Sequence, residues 1–289
     1  PAKHFLPIDY ALHGAGKDMP EVRGVVHVHG GRTPPESDGY PETWYVPGRS
    51  ATYFYPNQQE AALLWYHDHT IGINRLNVFA GLFGLYVVRD AFEQSLALPR
   101  GKYEIPLVLC DRMFHQDGQL YYPDSGDPNA PWIPEFFGDA VLVNGKLFPY
   151  LNVEPRHYRF RIVNASNSSF YYFSLSNRQP FHQIGSDQGL LEHPVAVKTL
   201  TLAPGERADV VVDFSRQVGQ QIVFRSDTLA IMQFRVGTTA SSATTAVPAR
   251  LRPVPRMAEG EAIRTRILSL NEDLDEAANP MRMLLNNTP

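Results

Sequence analysis

The chain has 289 residues, 43% of them hydrophobic and 19% charged, with a formal net charge of −4. That length allows about two domains, and the mild acidity leaves no basic footprint for nucleic acid. No apolar run approaches the ~18–20 residues needed to span a bilayer, so neither nucleic acid nor a membrane is an expected partner. Pro1-Ala2-Lys3-His4 lacks the apolar core of a secretory leader.

Residues 1–22 show little strand pattern. The first expected strand is 24–29, followed by Gly30-Gly31. Short helical turns are expected over 57–63 and 68–78, with strands at 62–67 and 82–89 and another short helix at 91–98. Strands then follow at 103–111, 139–144, 157–164, 170–176, 199–203, 208–214, 221–226 and 231–236. Asp117-Gly118, Asn144-Gly145 and Pro204-Gly205 punctuate them as turns. Many short strands at regular spacing, with Pro and Gly spread between them, read as all-β sandwiches. The single cysteine, Cys110, excludes an intrachain disulfide. It sits in the apolar run Ile105-Pro106-Leu107-Val108-Leu109-Cys110 as a small buried hydrophobe.

Composition divides the chain into 1–95, 96–236, 237–262 and 263–289. Residues 237–262 open on Gly237-Thr238-Thr239-Ala240-Ser241-Ser242 and read as a linker. The alternation Ile263-Arg264-Thr265-Arg266-Ile267-Leu268-Ser269-Leu270 reads as a new strand. Residues 1–90 supply four to six strands, fewer than the seven or so of a complete sandwich.

Two motifs carry chemistry. His27-Val28-His29 and His67-Asp68-His69 take four of the ten histidines, and each lies beside β-like sequence. Residues i and i+2 of a strand point to one face, roughly 6–7 Å apart. Each pair therefore aims two imidazoles at one place, and two such strands side by side make a four-imidazole cage. A single His-x-His is common by chance on a solvent-facing strand; two in one β-rich segment point to a metal. Neutral imidazole suits copper, zinc, iron and nickel, and spacing does not choose among them. His4, His13, His115, His157, His182 and His193 have no such pairing and read as surface or core residues.

Several strings together resemble the multicopper oxidases, in particular bacterial spore-coat laccases and bilirubin oxidases. In the first part these are His27-Val28-His29-Gly30-Gly31, Ser37-Asp38-Gly39, Tyr55-Pro56-Asn57-Gln58-Gln59, Leu64-Trp65-Tyr66-His67-Asp68-His69 and Arg75-Leu76-Asn77-Val78-Phe79-Ala80-Gly81-Leu82. In the second they are Val143-Asn144-Gly145-Lys146, Pro149 to Pro155, Tyr158 to Ser166, Gln183 to Asp187 and Leu202 to Arg207.

The resemblance implies tandem cupredoxin-like Greek-key β-sandwich domains: 1–95 as the first, 96–236 as the second, and 263–289 as the start of a third. It implies an enzyme that couples one-electron oxidation of phenolic or similar aromatic reductants to reduction of O₂ to water at a trinuclear copper cluster. By the same resemblance His27 would ligate the type 2 copper, and His29, His67 and His69 the type 3 pair. Asp38 matches the position of an acid that helps deliver protons, although Asp is also at home in a Ser-Asp-Gly turn. Asp68 is expected to act through the backbone around the ligands, Arg75 and Asn77 to tie down the segment after them, and Trp65 and Tyr66 to be core packing. A spore-coat or other extracytoplasmic location follows only from the resemblance.

The family's third-domain strings, His-Pro-x-His-x-His and His-Cys-His, do not occur in these residues; His193-Pro194 is followed by Val195-Ala196-Val197. The type 1 copper therefore has no ligands in this chain, and half of the trinuclear set is expected from a missing third-domain segment or a partner chain. The expected consequence is an isolated chain that turns over no substrate. The alternative is a non-catalytic copper-binding or structural cupredoxin module, against which the four retained histidines argue.

Overall fold

The computed structural model describes residues 2–127, 131–133, 135–239, 246–274 and 280–288. Its strands are β1 (Val26–His29), β2 (Ala62–Asp68), β3 (Phe83–Val88), β4 (Glu104–Arg112), β5 (Ala140–Val143), β6 (Lys146–Leu147), β7 (Tyr150–Val153), β8 (His157–Asn164) and β9 (Tyr171–Leu175). They continue as β10 (Phe181–Ser186), β11 (Gly189–Val197), β12 (Leu200–Leu202), β13 (Arg207–Asp213), β14 (Gln221–Ser226), β15 (Leu229–Val236), β16 (Leu270–Leu274) and β17 (Pro280–Leu285). Two short helices, α1 (Asn74–Phe79) and α2 (Ala91–Ser95), follow β2 and β3. The all-β reading is correct.

Residues 104–236 form a sandwich. Its seven-stranded sheet has the order β11-β10-β13-β8-β4-β5-β6, and its five-stranded sheet the order β12-β9-β14-β15-β7. Strict alternation builds both faces of the larger sheet. Tyr158, Phe160 and Ile162 of β8, with Ala208, Val210 and Val212 of β13, face inward onto Phe173, Phe224 and Phe234. The intervening Arg159, Arg161 and Asp209 face the other way and are still buried. The two arginines pair there with Asp209, Glu93 and Glu104, with Arg159 Nη1–Glu93 Oε1 at 2.6 Å and Arg161 Nη2–Glu93 Oε1 at 2.7 Å. Glu93 comes from α2, whose N-cap Asp90 accepts the Glu93 amide, so the ionic cluster fastens the segment after β3 to the large sheet.

The strands β1, β2 and β3 make a separate antiparallel sheet in that order. Leu63 and Trp65 of β2 pack on Cys110 of β4 and on Val163 and Ala165, which seats this sheet against the large one. Cys110 is buried as expected. Val28, Ala62, Leu64 and Val88 cluster together.

Other expectations need correction. No helix forms over 57–63; Asn57 takes a left-handed φ of 54° and β2 begins at Ala62. Of 68–78 only Asn74 onward is helical. The alternating stretch 263–269 makes no strand, and Ile263 and Ile267 are more than nine-tenths exposed. The strands form later, as the hairpin β16–β17. Within the stretch read as a linker, 240–245 lie outside the described residues, while Val247 and Leu251 pack with Ile184, Leu190 and Val211.

Candidate metal centre

The four histidines converge. In the antiparallel β1–β2 pair, His27 stands opposite His67 and His29 opposite Trp65. Opposed residues share one face, so three imidazoles meet there. His69 lies just past β2, where its amide donates to the Val25 carbonyl. Ring centroids are 5.5 Å apart for His27–His67, 5.5 Å for His29–His67 and 4.8 Å for His27–His69. The donor atoms of His27, His29 and His67 all lie within 4.8 Å of one another.

The backbone sets which nitrogen each ring offers. His27 Nδ1 donates to the Asp38 carbonyl at 2.6 Å, His67 Nδ1 to the Asp68 carbonyl at 2.7 Å, and His69 Nδ1 to the Gly39 carbonyl at 3.1 Å. With Nδ1 protonated, a neutral ring has its lone pair on Nε2. His29 differs: its Nδ1 lies 3.3 Å from His67 Nε2. Burial pushes the His67 imidazole down to about 4, against the pull of the Asp68 carbonyl. Burial, then the Arg207 guanidinium and the neighbouring imidazoles, push His29 down to about 4 as well. Both rings are therefore neutral at pH 7, the form that binds a metal.

Asp38 sits behind His27, on its Nδ1 side. Its Oδ1 is 3.5 Å from His27 Nδ1 and accepts Thr33 Oγ1 at 2.7 Å. The carboxylate is half exposed, and the carbonyl of the same residue holds the ring. Asp68 does act through its backbone, as expected, and its side chain does more. That buried carboxylate accepts from the Val25 and Thr70 amides, from Thr70 Oγ1 and from Asn77 Nδ2. It thereby joins β1, the turn after β2 and α1. Asn77 takes the tying role expected of it. Arg75 stacks its guanidinium 5.3 Å from the Tyr122 ring centroid, and its carbonyl accepts from Asn167.

Trp65 is buried in the core and also lies 4.4 Å, ring to ring, from His67. Tyr66 is not core packing: it is 40% exposed, because its alternate position on β2 points it away from Trp65.

The imidazoles line a cavity of about 470 Å³ whose other walls include Arg75, Trp132, Phe136, Ser166 and Gly205. Sequence reasoning overlooked the contributions of Gly39 and Gly205. Each stood inside a turn motif, Ser-Asp-Gly and Pro-Gly, and nothing local says which ring a turn will touch.

Multicopper oxidase models match residues 21–92 and 105–247. A laccase of Bacillus stratosphericus is 44% identical over 99% of this chain and 62% of its own length. A laccase of Bacillus subtilis (strain 168) is 42% identical over 99% of this chain and 61% of its own. The chain belongs to the multicopper oxidase family. A solved variant of the McoA multicopper oxidase from Aquifex aeolicus superposes with a TM-score of 0.80 at 30% identity, over 96% of this chain and 61% of that one. This multicopper oxidase chain thus spans about three fifths of the length of those relatives. Membership carries copper as the metal of the family. The donor set fits it: the Nε2 atoms of His27, His67 and His69, whose rings are oriented by backbone carbonyls, and the His29 ring beside them.

Proposed function

We propose that this chain belongs to a laccase-like oxidase that couples one-electron oxidation of phenolic or related aromatic reductants to reduction of O₂ to water. In this reading His27 serves a type 2 copper, and His29, His67 and His69 serve a type 3 pair. The observation that carries it is the convergence of four imidazoles, three of them with Nδ1 already held by a carbonyl. Bound copper supplies the one-electron redox chemistry. The chain's own residues orient the rings, exclude the bulk of the water by burial, and place a carboxylate, Asp38, within reach of the His27 edge. Reduction of O₂ to two waters consumes four electrons and four protons, and the half-exposed Asp38 is the group suited to pass protons inward.

A trinuclear cluster with a type 1 electron entry site needs more ligands than these four. We infer that a further segment or a partner chain supplies them, and that these 289 residues alone take up no O₂ beyond free copper. Among the described residues no helix is long and apolar enough to cross a membrane. The extracytoplasmic or spore-coat setting is part of the same proposal and is tested by fractionation of the source cells. A non-catalytic copper-binding or structural cupredoxin module is the weaker reading: a structural module has no use for four preset imidazoles, and a copper-binding one is distinguished by the absence of O₂ uptake in the assembled protein.

The test is anaerobic copper titration of the metal-free protein, with bound copper and its EPR signal as readouts and His67→Ala beside the wild type. Copper bound by the wild type, with loss in the variant beyond the roughly 10- to 100-fold that removal of an outer partner costs, supports the reading. Equal binding by both proteins overturns it.

A further inference from the structure

Arg207 opens β13, in the large sheet, yet its guanidinium reaches the β1–β2 sheet. It is 3% exposed. Nε donates to the Leu63 carbonyl of β2 at 3.2 Å, Nη2 to the Asp187 carbonyl at 2.9 Å, and Nη1 to the Gly205 carbonyl at 3.0 Å. The Asp187 carboxylate lies 3.0 Å from Nη1 and also accepts the Arg207 amide. One planar fork therefore joins three separate stretches of backbone. A guanidinium has five donors in fixed directions and can do this, whereas an ammonium is a single point.

Two of the three stretches, those of Gly205 and Leu63, border His29. Gly205 has φ +83°, and a Cβ there would stand 3.2 Å from His29 Cε1 and 3.9 Å from Trp65 Cζ2. Its backbone therefore forms a wall against the His29 edge. Gly30, the residue after His29, leaves so little room that a Cβ would come within 2.5 Å of Arg207 Nη2. Leu63 lies two residues before Trp65, the cross-strand neighbour of His29. Among the described residues, no carbonyl accepts from His29, in contrast to the other three rings.

We propose that Arg207 is the positioning residue for His29: its fork fixes the Gly205 wall and the β2 backbone around that ring, and so the orientation in which His29 faces His67. The fork replaces the carbonyl that His29 lacks. The consequence for copper affinity rests on the proposed function above; the placing of the ring does not.

The test uses the histidine-ring ¹⁵N spectrum of the metal-free protein, with the His29 signals identified by their loss in His29→Gln. Arg207→Gln is expected to move the His29 resonances and leave those of His69 in place, and to weaken copper binding about tenfold. Arg207→Lys keeps the charge without the fork and is expected to show the same displacement. Asp187→Asn leaves the arginine present with a weaker anchor; it is expected to give a smaller change in the same direction and serves if the Gln variant does not fold. Unmoved His29 signals in folded Arg207→Gln, or in Asp187→Asn where that is the variant read, overturn the proposal. Full recovery in Arg207→Lys also overturns it, because charge alone would then suffice. A wild type that binds no copper while His29 still moves in the variants leaves the positioning role standing and sinks the proposed function instead.

Discussion

His29 Nδ1 and His67 Nε2 face each other at 3.3 Å, and only one proton arrangement suits both rings. His67 already spends its Nδ1 proton on the Asp68 carbonyl, and burial keeps the ring neutral. Its Nε2 is therefore an acceptor, and His29 must donate from Nδ1. A cation placed between them needs that lone pair. Binding of Cu⁺ or Zn²⁺, both diamagnetic, should move the His29 proton from Nδ1 to Nε2. Long-range ¹H–¹⁵N spectra of the imidazoles read this directly; a metal-free His29 already protonated at Nε2 would contradict it.

The Asp68 carboxylate should matter for stability as much as its carbonyl does for His67. Each of its oxygens accepts two donors: Val25 N and Thr70 Oγ1 on one, Thr70 N and Asn77 Nδ2 on the other. Asp68→Asn keeps the shape and turns one oxygen into a donor facing two donors. Leaving buried polar groups unmatched costs about 1–3 kcal/mol. Urea unfolding of the metal-free protein should show a loss in that range. A midpoint equal to the wild type would mean that the network contributes nothing.

Gly39→Ala should damage two imidazoles together. Gly39 has φ +79°, and an added Cβ would lie 2.1 Å from the Val26 carbonyl oxygen. The turn must shift, and it carries both the Asp38 carbonyl on His27 and the Gly39 carbonyl on His69. A left-handed non-glycine residue costs about 1–3 kcal/mol. The variant should fold with a lower Tm and bind copper more weakly than wild type, checked by calorimetry and by competition with a copper chelator. Unchanged affinity would show that the turn does not set these rings.

The His pairs were legible because a strand's period of two converts spacing into direction, and the pairing His27↔His67 completes the convergence. β8 and β13 were equally legible, because Tyr158, Phe160 and Ile162, and Ala208, Val210 and Val212, recur at a period of two, with Arg159, Arg161 and Asp209 between them. The missed strands are of another kind. β11 lies at the edge of its sheet, so Pro194 and the charged or polar Glu192 and His193 fit there although they disguise the run. The reverse error at 263–269 has the same root. Alternation makes a strand only where another strand takes its hydrogen bonds, and among the described residues no strand pairs with 263–269. Arg207 escaped notice because most of what it holds is backbone carbonyl, at Leu63, Asp187 and Gly205, and the contact that ties it to β2 spans 144 residues, which no side-chain pattern records.

Acid should loosen the ionic cluster through which Glu104 of β4 holds Arg159 and Arg161 of β8 and Arg89 after β3. Burial alone would raise Glu104, but the hydrogen bond and charge of Arg161, the charge of Arg159 and the hydrogen bond of Arg89 outweigh it and hold the carboxyl below its usual 4.5. The folded protein therefore stays deprotonated where the unfolded chain takes up a proton. The contribution is full above about pH 4.5, the unfolded value, and falls away as pH drops through the lower folded value. Urea midpoints measured from pH 6 to pH 3 should decline more steeply in the wild type than in Glu104→Gln, which has no carboxyl to titrate. Parallel curves would place the acid sensitivity elsewhere.

Asp38 should separate copper binding from turnover. What holds His27 is the Asp38 carbonyl at 2.6 Å, while the carboxylate stands off at 3.5 Å, steadied by Thr33. Asp38→Asn leaves the carbonyl and the Thr33 contact in place and removes only the carboxyl group that can take up and pass on a proton. Copper content of the assembled oxidase should equal that of the wild type, whereas the rate of O₂ reduction should fall by about 10²-fold or more, the usual scale for losing an acid–base group. Loss of copper would mean that the carboxylate is structural after all, and an unchanged rate would remove Asp38 from the proton path. The two readouts move independently because one residue presents two different oxygens to the site, one belonging to the backbone and fixed, the other to the side chain and half exposed to water.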